Sequence, residues 1–324
     1  MVRHPTFGGI LKVNMKGLIL AAGKGSRLYP ITHIIPKPLL PLANRMTLDY
    51  AFEKLREIDV FDIGIVVGEN EEAMRKALGD GSDHGVSLTY IRQPEPKGLA
   101  HAVSFAKDFI NGAPFVLYLG DAMYGEGFAS LKQRFEGSGC ANLNLVKAVA
   151  DPSRFGVANV DGERIVKLVE KPKNPESNLA MAGLYFFGPE IWEIFPKLEP
   201  SARGEYEITD AIQMLIDEGK LVLAGVYTGA WFDTGTLDSF LETSSYLIDG
   251  GKRIAASSVV VGQVLSNVVI GEAVHLNCTD IEDSVIFPGA NVNVKGKIHR
   301  CILAGPVESD GDLRDSIIHG DWKG

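Results

Sequence analysis

The 324-residue sequence has few cysteines, no excess of positive charge and no long apolar run. Its three cysteines, Cys140, Cys278 and Cys301, are an odd number without metal-ligand spacing, which argues against a cysteine metal site. We therefore expect buried thiols in a reducing compartment, the cytoplasm. A net charge of −9 argues against nucleic acid as a partner, because phosphate binding on that scale needs a basic face.

No apolar run is long enough to cross a membrane, so a membrane partner is not expected either. Residues 1–14 lack the hydrophobic core of a signal peptide and are predicted to form a short extension, with Met15 as an alternative start. The whole chain is 45% hydrophobic and 23% charged, an ordinary globular composition. We predict two domains, residues 15–250 and 251–324, joined at the flexible Gly250-Gly251 pair.

Two common phosphate-binding motifs are also missing. A P-loop needs Lys-Ser/Thr directly after its last glycine, but Gly25 separates Lys24 from Ser26. A dinucleotide-binding fingerprint needs a third glycine where Leu28 stands. The chain is therefore not predicted to bind nucleotides in either of these two ways.

What is present is a different phosphate-binding stretch near the start of the chain. The apolar run Leu18–Leu20 predicts a buried strand, and Gly23 and Gly25 follow it. Glycines after a strand turn the backbone tightly and expose N–H groups that suit a phosphate. Arg27 adds a planar, permanently charged group and Lys37 adds a point charge. Together these residues predict a triphosphate site.

Residues 20–30 (LAAGKGSRLYP) and 36–41 (PKPLLP) resemble the signature of the sugar-phosphate nucleotidylyltransferases, the nucleotide-sugar pyrophosphorylases, at every position. The following segments fit an α/β fold, because apolar strands alternate with helical patterns up to about residue 120. Helices are predicted at 47–58, 71–78 and 98–110, and strands at 63–67, 86–91 and 115–119. We predict a mostly parallel, doubly wound, Rossmann-like sheet that binds its ligands beyond the carboxyl ends of the strands.

A proline-rich loop after the third predicted strand supplies a candidate for base recognition. Gln93 can donate and accept hydrogen bonds at once, which suits the edge of a pyrimidine, and Gly98 permits close backbone approach. The loop resembles the Gln-x-x-Pro-x-Gly-Leu-Ala segment of glucose-1-phosphate thymidylyltransferases, which implies a nucleotide-binding role for Pro96 too. His101 stands where that family often has glutamine.

Two aspartates after predicted strands are candidate metal ligands. Asp121 follows Gly120 at the end of the fourth strand, where a carboxylate suits a hard divalent cation. Asp233, in the segment WFDTG, is a second such carboxylate. The resemblance implies that both hold Mg²⁺. Ala122 replaces the asparagine that the family usually has there.

The segment 141–188 is predicted to be extended, with a hairpin turn at Asp161-Gly162. It leads to Glu170 and Lys171, whose side chains should point to opposite faces of a strand and therefore should not form a salt bridge. The resemblance implies that Glu170 binds sugar hydroxyls and Lys171 the sugar phosphate. It further implies sugar-phosphate contacts from Gly156, Gly183 and Trp231.

Short apolar triplets recur after residue 254, with last residues 16, 17 and 15 positions apart. Such a period indicates stacked coils that bury a common face. The pattern resembles a left-handed β-helix of hexapeptide repeats, with a small sandwich as the alternative. The valine-rich run at 259–265 predicts docking on the catalytic domain or on a second subunit, and we expect a homo-oligomer.

The resemblance implies a reaction in which a sugar 1-phosphate attacks the α-phosphorus of a nucleoside triphosphate and releases pyrophosphate. Arg27 would act on the pyrophosphate, Lys37 on the triphosphate and Lys171 on the sugar phosphate. The implied nucleotide-binding residues are Leu20, Ala22, Gly23, Gly25, Gln93, Pro96, Gly98 and Asp121. The favoured substrates are dTTP and glucose 1-phosphate.

Three alternatives stay open at this point. UTP could replace dTTP, because the two bases differ by one methyl group and a hydrophobic contact discriminates only about 10–200-fold. The chain could be a non-catalytic subunit that binds nucleotide-sugars, although the retained cations and aspartates argue against it. The repeats could form an acyltransferase domain, for which only His275 and His299 are candidate catalysts.

Overall fold

The computed structural model describes residues 14–321, so the predicted extension at residues 1–14 lies outside the described residues apart from Asn14. Within that range nine α-helices are formed, namely α1 Ile31–Ile34, α2 Thr47–Arg56, α3 Glu71–Leu78, α4 Leu99–Ser104, α5 Lys107–Ile110, α6 Ala129–Ser138, α7 Ile191–Ile194, α8 Ile208–Asp217 and α9 Leu237–Leu247. No helix of the described range is long and apolar enough to cross a membrane.

Strands β1–β13 precede Gly250. They are β1 Lys16–Leu20, β2 Pro41–Leu42, β3 Arg45–Met46, β4 Asp62–Val67, β5 Ser87–Arg92, β6 Phe115–Leu119, β7 Ala122–Tyr124, β8 Asn142–Ala148, β9 Gly156–Asp161, β10 Arg164–Glu170, β11 Leu179–Phe187, β12 Val222–Val226 and β13 Trp231–Asp233. Short 3₁₀ turns are formed at Ser26–Leu28, Lys37–Leu39, Ser82–His84, Pro152–Arg154 and Phe195–Lys197.

The central sheet has nine strands in the order β5-β4-β1-β6-β11-β8-β12-β10-β9. Its first four strands are mutually parallel, as predicted. Among the other strands only β11 and β10 run against this direction: β11 is antiparallel to both β6 and β8, and β10 to both β12 and β9, whereas β8 and β12 pair in parallel. The tight turn at Gly162 joins β9 and β10 directly, and so short a connection makes them antiparallel neighbours, because parallel neighbours need a crossover. The sheet is therefore mixed.

The helices follow their predicted positions with one correction. The predicted helix at 98–110 is broken into α4 and α5 between Phe105 and Ala106. Phe105, at this break, is 40% exposed, and its ring packs edge-on against that of His101 at a centroid distance of 4.9 Å. The break separates the first part of the predicted helix, α4, from its buried end in α5.

Strands β14–β22 follow Gly251 and pair exclusively in parallel among the described residues. They are β14 Lys252–Ile254, β15 Val259–Val264, β16 Val268–Ile270, β17 His275–Glu282, β18 Ser284–Ile286, β19 Asn291–Val294, β20 Ile298–Ala304, β21 Pro306–Ser309 and β22 Leu313–His319. The predicted triplets lie in β16, β18, β20 and β22, which pair in that order. The repeat is therefore a real stacking period.

The strands after Gly251 pack on the preceding part of the chain through a shared apolar cluster. It contains Leu28, Ile31, Leu40, Leu42 and Phe240 from before Gly251 and Val269, Val285, Phe287 and Ile302 from after it. Asn44 and Arg253 add hydrogen bonds across the same boundary, to the carbonyls of Ile270 and Ala43. The docking face therefore differs from the predicted valine run, in which Val259 and Val261 are exposed.

Candidate active site

A cleft of about 310 Å³ opens at the carboxyl ends of β1, β5 and β6, the edge at which ligand binding was predicted. Backbone hydrogen bonds hold the loops together here, from Ala21 N to Val66 O and from Gly120 N to Leu20 O. The cleft is lined by Leu20, Ala21, Ala22, Gly23, Lys37, Pro38, Gln93, Pro96, Gly98, Leu99, Ala102, Leu119, Gly120, Asp121 and Glu205.

Seven of the eight predicted nucleotide-binding residues line this cleft, and Gly25 does not. Gly25 precedes the 3₁₀ turn Ser26–Leu28 with φ 64°, a left-handed conformation. A β-carbon at Gly25 would lie 3.1 Å from the β-carbon of Lys37. Gly25 therefore lets Lys37 approach the loop, and its effect on the cleft is indirect.

Lys37 is the buried cation of the site. It lies on a turn between two prolines and is only 8% exposed. Its Nζ is 2.6 Å from Asp121 Oδ2 and 3.7 Å from Asp233 Oδ1. Arg27 completes the group with its Nη2 3.8 Å from Asp233 Oδ2, although half of the Arg27 side chain is exposed. The structure thus brings together four residues that are scattered along the sequence.

A two-stranded ribbon brings the two aspartates together. β13 runs antiparallel to β7, and Asp233 pairs with Ala122. The amide and hydroxyl of Thr234 both donate to the carbonyl oxygen of Asp121, at 3.1 and 2.9 Å. This ribbon uses the backbone of residue 122, so alanine serves there as well as asparagine for the pairing.

The two carboxyl groups have unequal electrostatic surroundings. Burial disfavours ionisation of Asp121, but the charge and hydrogen bond of Lys37 outweigh it and lower the pKa of Asp121. Burial raises the pKa of Asp233, and the neighbouring Asp121 carboxylate raises it further. Asp233 Oδ1 is buried without a hydrogen-bond partner within residues 14–321. Two adjacent carboxylates with an unsatisfied oxygen fit a hard divalent cation.

Gln93 and Gly98 line the main cleft from the loop that follows β5. Gly98 has φ 103°, and a β-carbon there would lie 2.5 Å from the carbonyl oxygen of Tyr206. Tyr206 clamps this loop by accepting from Ala100 N and donating to Lys97 O. Gly98 is therefore required by the close backbone contact with the segment before α8.

Glu170 and Lys171 form a second cluster, and the predicted absence of a salt bridge is wrong. Lys171 Nζ lies 3.2 Å from Glu170 Oε1. The reason is that β10 ends at Glu170, and Lys171 adopts φ 43°, so the two side chains no longer alternate across a strand. Thr209 donates to the other oxygen, Glu170 Oε2, at 3.0 Å.

Arg203, for which no role was predicted, joins this cluster. Its guanidinium lies 3.5 Å from Glu170 Oε1, 2.7 Å from Glu205 Oε2 and 3.8 Å from Glu207 Oε1. Glu205 also lines the main cleft, so Arg203 connects the two clusters. The sequence did carry a signal for Arg203, because this cation is followed closely by the acidic residues of the segment RGEYEITD.

The remaining predicted sugar-phosphate residues lie in three different places, and Gly156 is the one beside Glu170. A β-carbon at Gly156 would lie 3.2 Å from Glu170 Oε2, and one at Gly183 would contact Leu119 of the main cleft. Trp231 lines a smaller cleft beside Asp233, with its ring centroid 5.2 Å from that of Phe155. Glycines 156 and 183 are therefore spacers, whereas Trp231 offers an accessible aromatic wall.

Known proteins share this architecture. The profile of the family described as nucleotidyl transferase matches residues 16–250. A low-salt glycan biosynthesis nucleotidyltransferase, Agl11 of Haloferax volcanii, is 44% identical over 237 residues, which are 72% of this chain and 66% of that protein. A glucose-1-phosphate thymidylyltransferase of Streptomyces antibioticus is 40% identical over 92% of this chain and 83% of its own.

A solved structure agrees with these sequence matches. It is the sucrose complex of a Bacillus anthracis protein described as a glucose-1-phosphate thymidylyltransferase, with a TM-score of 0.69 and 36% identity over 73% of this chain and 96% of that one. The family profile spans most of the chain, including both aspartates and all the cations of the site. The chain therefore belongs to the nucleotidyl transferase family and is a nucleotidyltransferase similar to glucose-1-phosphate thymidylyltransferases.

Proposed function

We propose that the protein condenses dTTP with glucose 1-phosphate to give dTDP-glucose and pyrophosphate. The observation that carries this proposal is the placement of Lys37 between Asp121 and Asp233 on the wall of a nucleotide-sized cleft. The names of the Streptomyces and Bacillus relatives support the choice of substrates. The retained charged groups favour an enzyme over a non-catalytic binding subunit.

The main cleft takes the nucleoside triphosphate in this proposal. The base lies against Gln93, Pro96 and Gly98, and the phosphates lie along the glycine loop toward Lys37. Arg27, exposed at the mouth, is free to bind the β- and γ-phosphates that leave as pyrophosphate. A half-exposed arginine at this point can neutralise charge that grows as the leaving group departs.

The second cluster takes the sugar 1-phosphate. Lys171 and Arg203 supply the positive charge for its phosphate, and Glu170 is the acceptor for sugar hydroxyls. In the free protein these three side chains bind one another, so a substrate would exchange its own contacts for theirs. Trp231 would cover an apolar face of the sugar.

Asp121 and Asp233 would hold Mg²⁺, whose charge would reduce the repulsion between the two polyanionic substrates. The unsatisfied Asp233 oxygen and the pairing of two carboxylates support this assignment. Lys37 would then keep the Asp121 carboxylate ionised and oriented. The ion is an inference from these ligands and from the family.

The chemical step needs no covalent intermediate. An oxygen of the sugar phosphate, already anionic, forms a bond to the α-phosphorus while the bond from that phosphorus to the bridging oxygen breaks. The electron pair leaves with pyrophosphate. The protein therefore acts by holding the two phosphates in line and by stabilising charge, with no group required as a nucleophile.

Residues 15–250 would form the catalytic domain and residues 251–324 a left-handed β-helix. Parallel strands at the predicted repeat support the second assignment. Each triplet follows a residue with positive φ, at Asn267, Asp283, Arg300 and Asp315, which suits a regular coil corner. We infer a homo-oligomer that uses the exposed valines of β15, and the three unpaired cysteines support a cytoplasmic location.

The test is pyrophosphate release across a panel of triphosphates and sugar 1-phosphates. We expect the highest kcat/KM with dTTP and glucose 1-phosphate, and UTP as the strongest competitor. The Asp233→Asn variant is the matched inactive control, and acetyl-CoA consumption tests the acyltransferase alternative. Absence of pyrophosphate release with every pair would refute the proposal.

A further inference from the structure

The side-chain amide of Gln93 is oriented by a neighbouring histidine. Gln93 is 6% exposed, and its Nε2 lies 3.0 Å from His101 Nδ1 and 3.4 Å from the carbonyl oxygen of Gly98. An amide nitrogen carries two hydrogens, so both are used by these acceptors. Within the described chain the amide oxygen of Gln93 has no hydrogen-bond partner, and the residue lines the nucleotide cleft.

The Gly98 carbonyl resolves which way the amide points. A neutral histidine could donate or accept at Nδ1, and either orientation of the Gln93 amide would satisfy it. A carbonyl oxygen only accepts, so the amide atom that faces Gly98 must be the nitrogen. His101 Nδ1 is then an acceptor and its proton is on Nε2. The Gln93 oxygen is left for a ligand.

His101 is itself held in place by aromatic contacts. Its ring stacks on Tyr206 at a centroid distance of 6.0 Å and meets the edge of Phe105 at 4.9 Å. The backbone of Tyr206 also clamps the loop at Gly98. The imidazole is therefore held in one position on α4, from which it can fix the orientation of the Gln93 amide.

We propose that His101 is a positioning residue that locks Gln93 with its carboxamide oxygen facing the base, and thereby selects a pyrimidine with an N3–H group. Thymine and uracil present N3–H as a donor to that oxygen. Cytosine presents an unprotonated N3, whose lone pair would face the oxygen and repel it. The proposal rests on the proposed nucleotide site and extends it to the class of base.

A Gln93 amide that is locked by His101 should discriminate between bases more strongly than a Gln93 amide that is free to rotate. A free glutamine amide can rotate by half a turn and satisfy either a donor or an acceptor, so it discriminates poorly. A locked amide leaves a mismatched base with an unmade hydrogen bond, and such mismatches are rejected far more strongly than a missing methyl group.

The experiment compares dTTP with dCTP, at saturating glucose 1-phosphate, in full-length wild type, His101→Leu, His101→Gln, Gln93→Leu and the double variant Gln93→Leu/His101→Leu. His101→Leu removes the acceptor, and we expect about a tenfold higher KM for dTTP with kcat within about twofold. The ratio of kcat/KM for dTTP to kcat/KM for dCTP should fall by a similar factor. His101→Gln keeps an acceptor oxygen and should restore both values.

The double variant separates positioning from general damage. If His101 acts through Gln93, His101→Leu adds no further loss of discrimination when Gln93 is already leucine. The proposal would be overturned if His101→Leu left the ratio of kcat/KM for dTTP to that for dCTP unchanged. It would also be overturned if His101→Leu lowered this ratio by the same factor in the Gln93→Leu background as in wild type. Inactivity of the wild type with all substrates would instead refute the proposed function, and calorimetry of dTDP against dCDP on the same variants would then decide the role of His101.

Discussion

The carboxylates of Asp121 and Asp233 share one ammonium group, that of Lys37, at 2.6 and 3.7 Å. Asp121 follows β6, in the parallel part of the central sheet. Asp233 ends β13, a strand of the separate two-stranded ribbon. The shared lysine holds two like charges side by side, which would otherwise repel each other. This arrangement gives the site its first and most direct test.

Asp121→Asn and Asp233→Asn should each lower kcat by about 10²–10³-fold, because each removes a charge that would hold Mg²⁺. Titration with Mn²⁺, followed by electron paramagnetic resonance, should show weakened metal binding in both. Asp310→Asn, a highly exposed carboxylate in the second domain, is the matched control. Normal turnover and metal affinity in Asp233→Asn would contradict the metal assignment.

The cations should divide into two kinetic classes. Arg27→Ala should lower kcat by about 10²-fold, since its guanidinium acts on charge that grows in the transition state. Lys171→Ala should in addition raise the KM for the sugar phosphate. Lys24→Ala, an exposed cation next in the glycine loop that pairs with Glu69, should change neither. Loss of triphosphate affinity alone in both variants would show that the division is wrong.

The wild-type KM for dTTP should rise at acid pH. Burial lowers the pKa of His101, and the nearby Lys97 charge lowers it further, against a smaller opposite effect of Glu95. Tyr206 also faces the ring. His101 is therefore neutral at pH 7 and accepts from Gln93. Below its lowered pKa it becomes protonated, and its N–H then faces the Gln93 amide hydrogens.

The measurement is KM for dTTP as a function of pH in wild type and in His101→Gln. The variant has no group that titrates at this position, so its KM should lack the acid rise. An identical acid rise in both proteins would assign the effect to another group.

The boundary between the domains should be important for stability. Phe287 is 2% exposed in the shared cluster, with its ring centroid 6.2 Å from that of Phe240. Phe287→Ala should lower the free energy of unfolding by about 3–5 kcal/mol, as expected for a large cavity. Val226→Ala, at a site 61% exposed, should change it by less than about 0.5 kcal/mol. Thermal or urea unfolding would measure both, and equal effects would contradict this view of the interface.

The exposed valines of β15 should hold subunits together. Val259 and Val261 are more than half exposed on a strand that pairs on one side only, with β17, among the described residues. Val259→Asp combined with Val261→Asp should reduce the molar mass measured by light scattering while leaving the cleft intact. A wild type that is already monomeric, or a double variant of unchanged mass, would refute the assembly role.

Much of this molecule follows from local sequence. The signature around Arg27 and Lys37 predicted a phosphate site, and the apolar runs located β1, β4, β5 and β6. Parallel strands of one sheet end at one edge, so residues after those strands, such as Gln93 and Asp121, could be expected to meet there. The tail's repeat was equally visible, because stacked coils need the same apolar positions at each turn.

Only the tertiary structure decided the relationships between distant segments. Asp233 reaches Asp121 through a ribbon whose pairing no local pattern specifies, and β11 enters the sheet antiparallel to β6, a direction that periodicity does not encode. Lys171 meets Glu170 because one backbone angle turns positive at the end of β10. The Gln93–His101 contact likewise depends on where a helix begins. Such contacts arise from packing between segments, whereas residue patterns report only which face of each segment is buried.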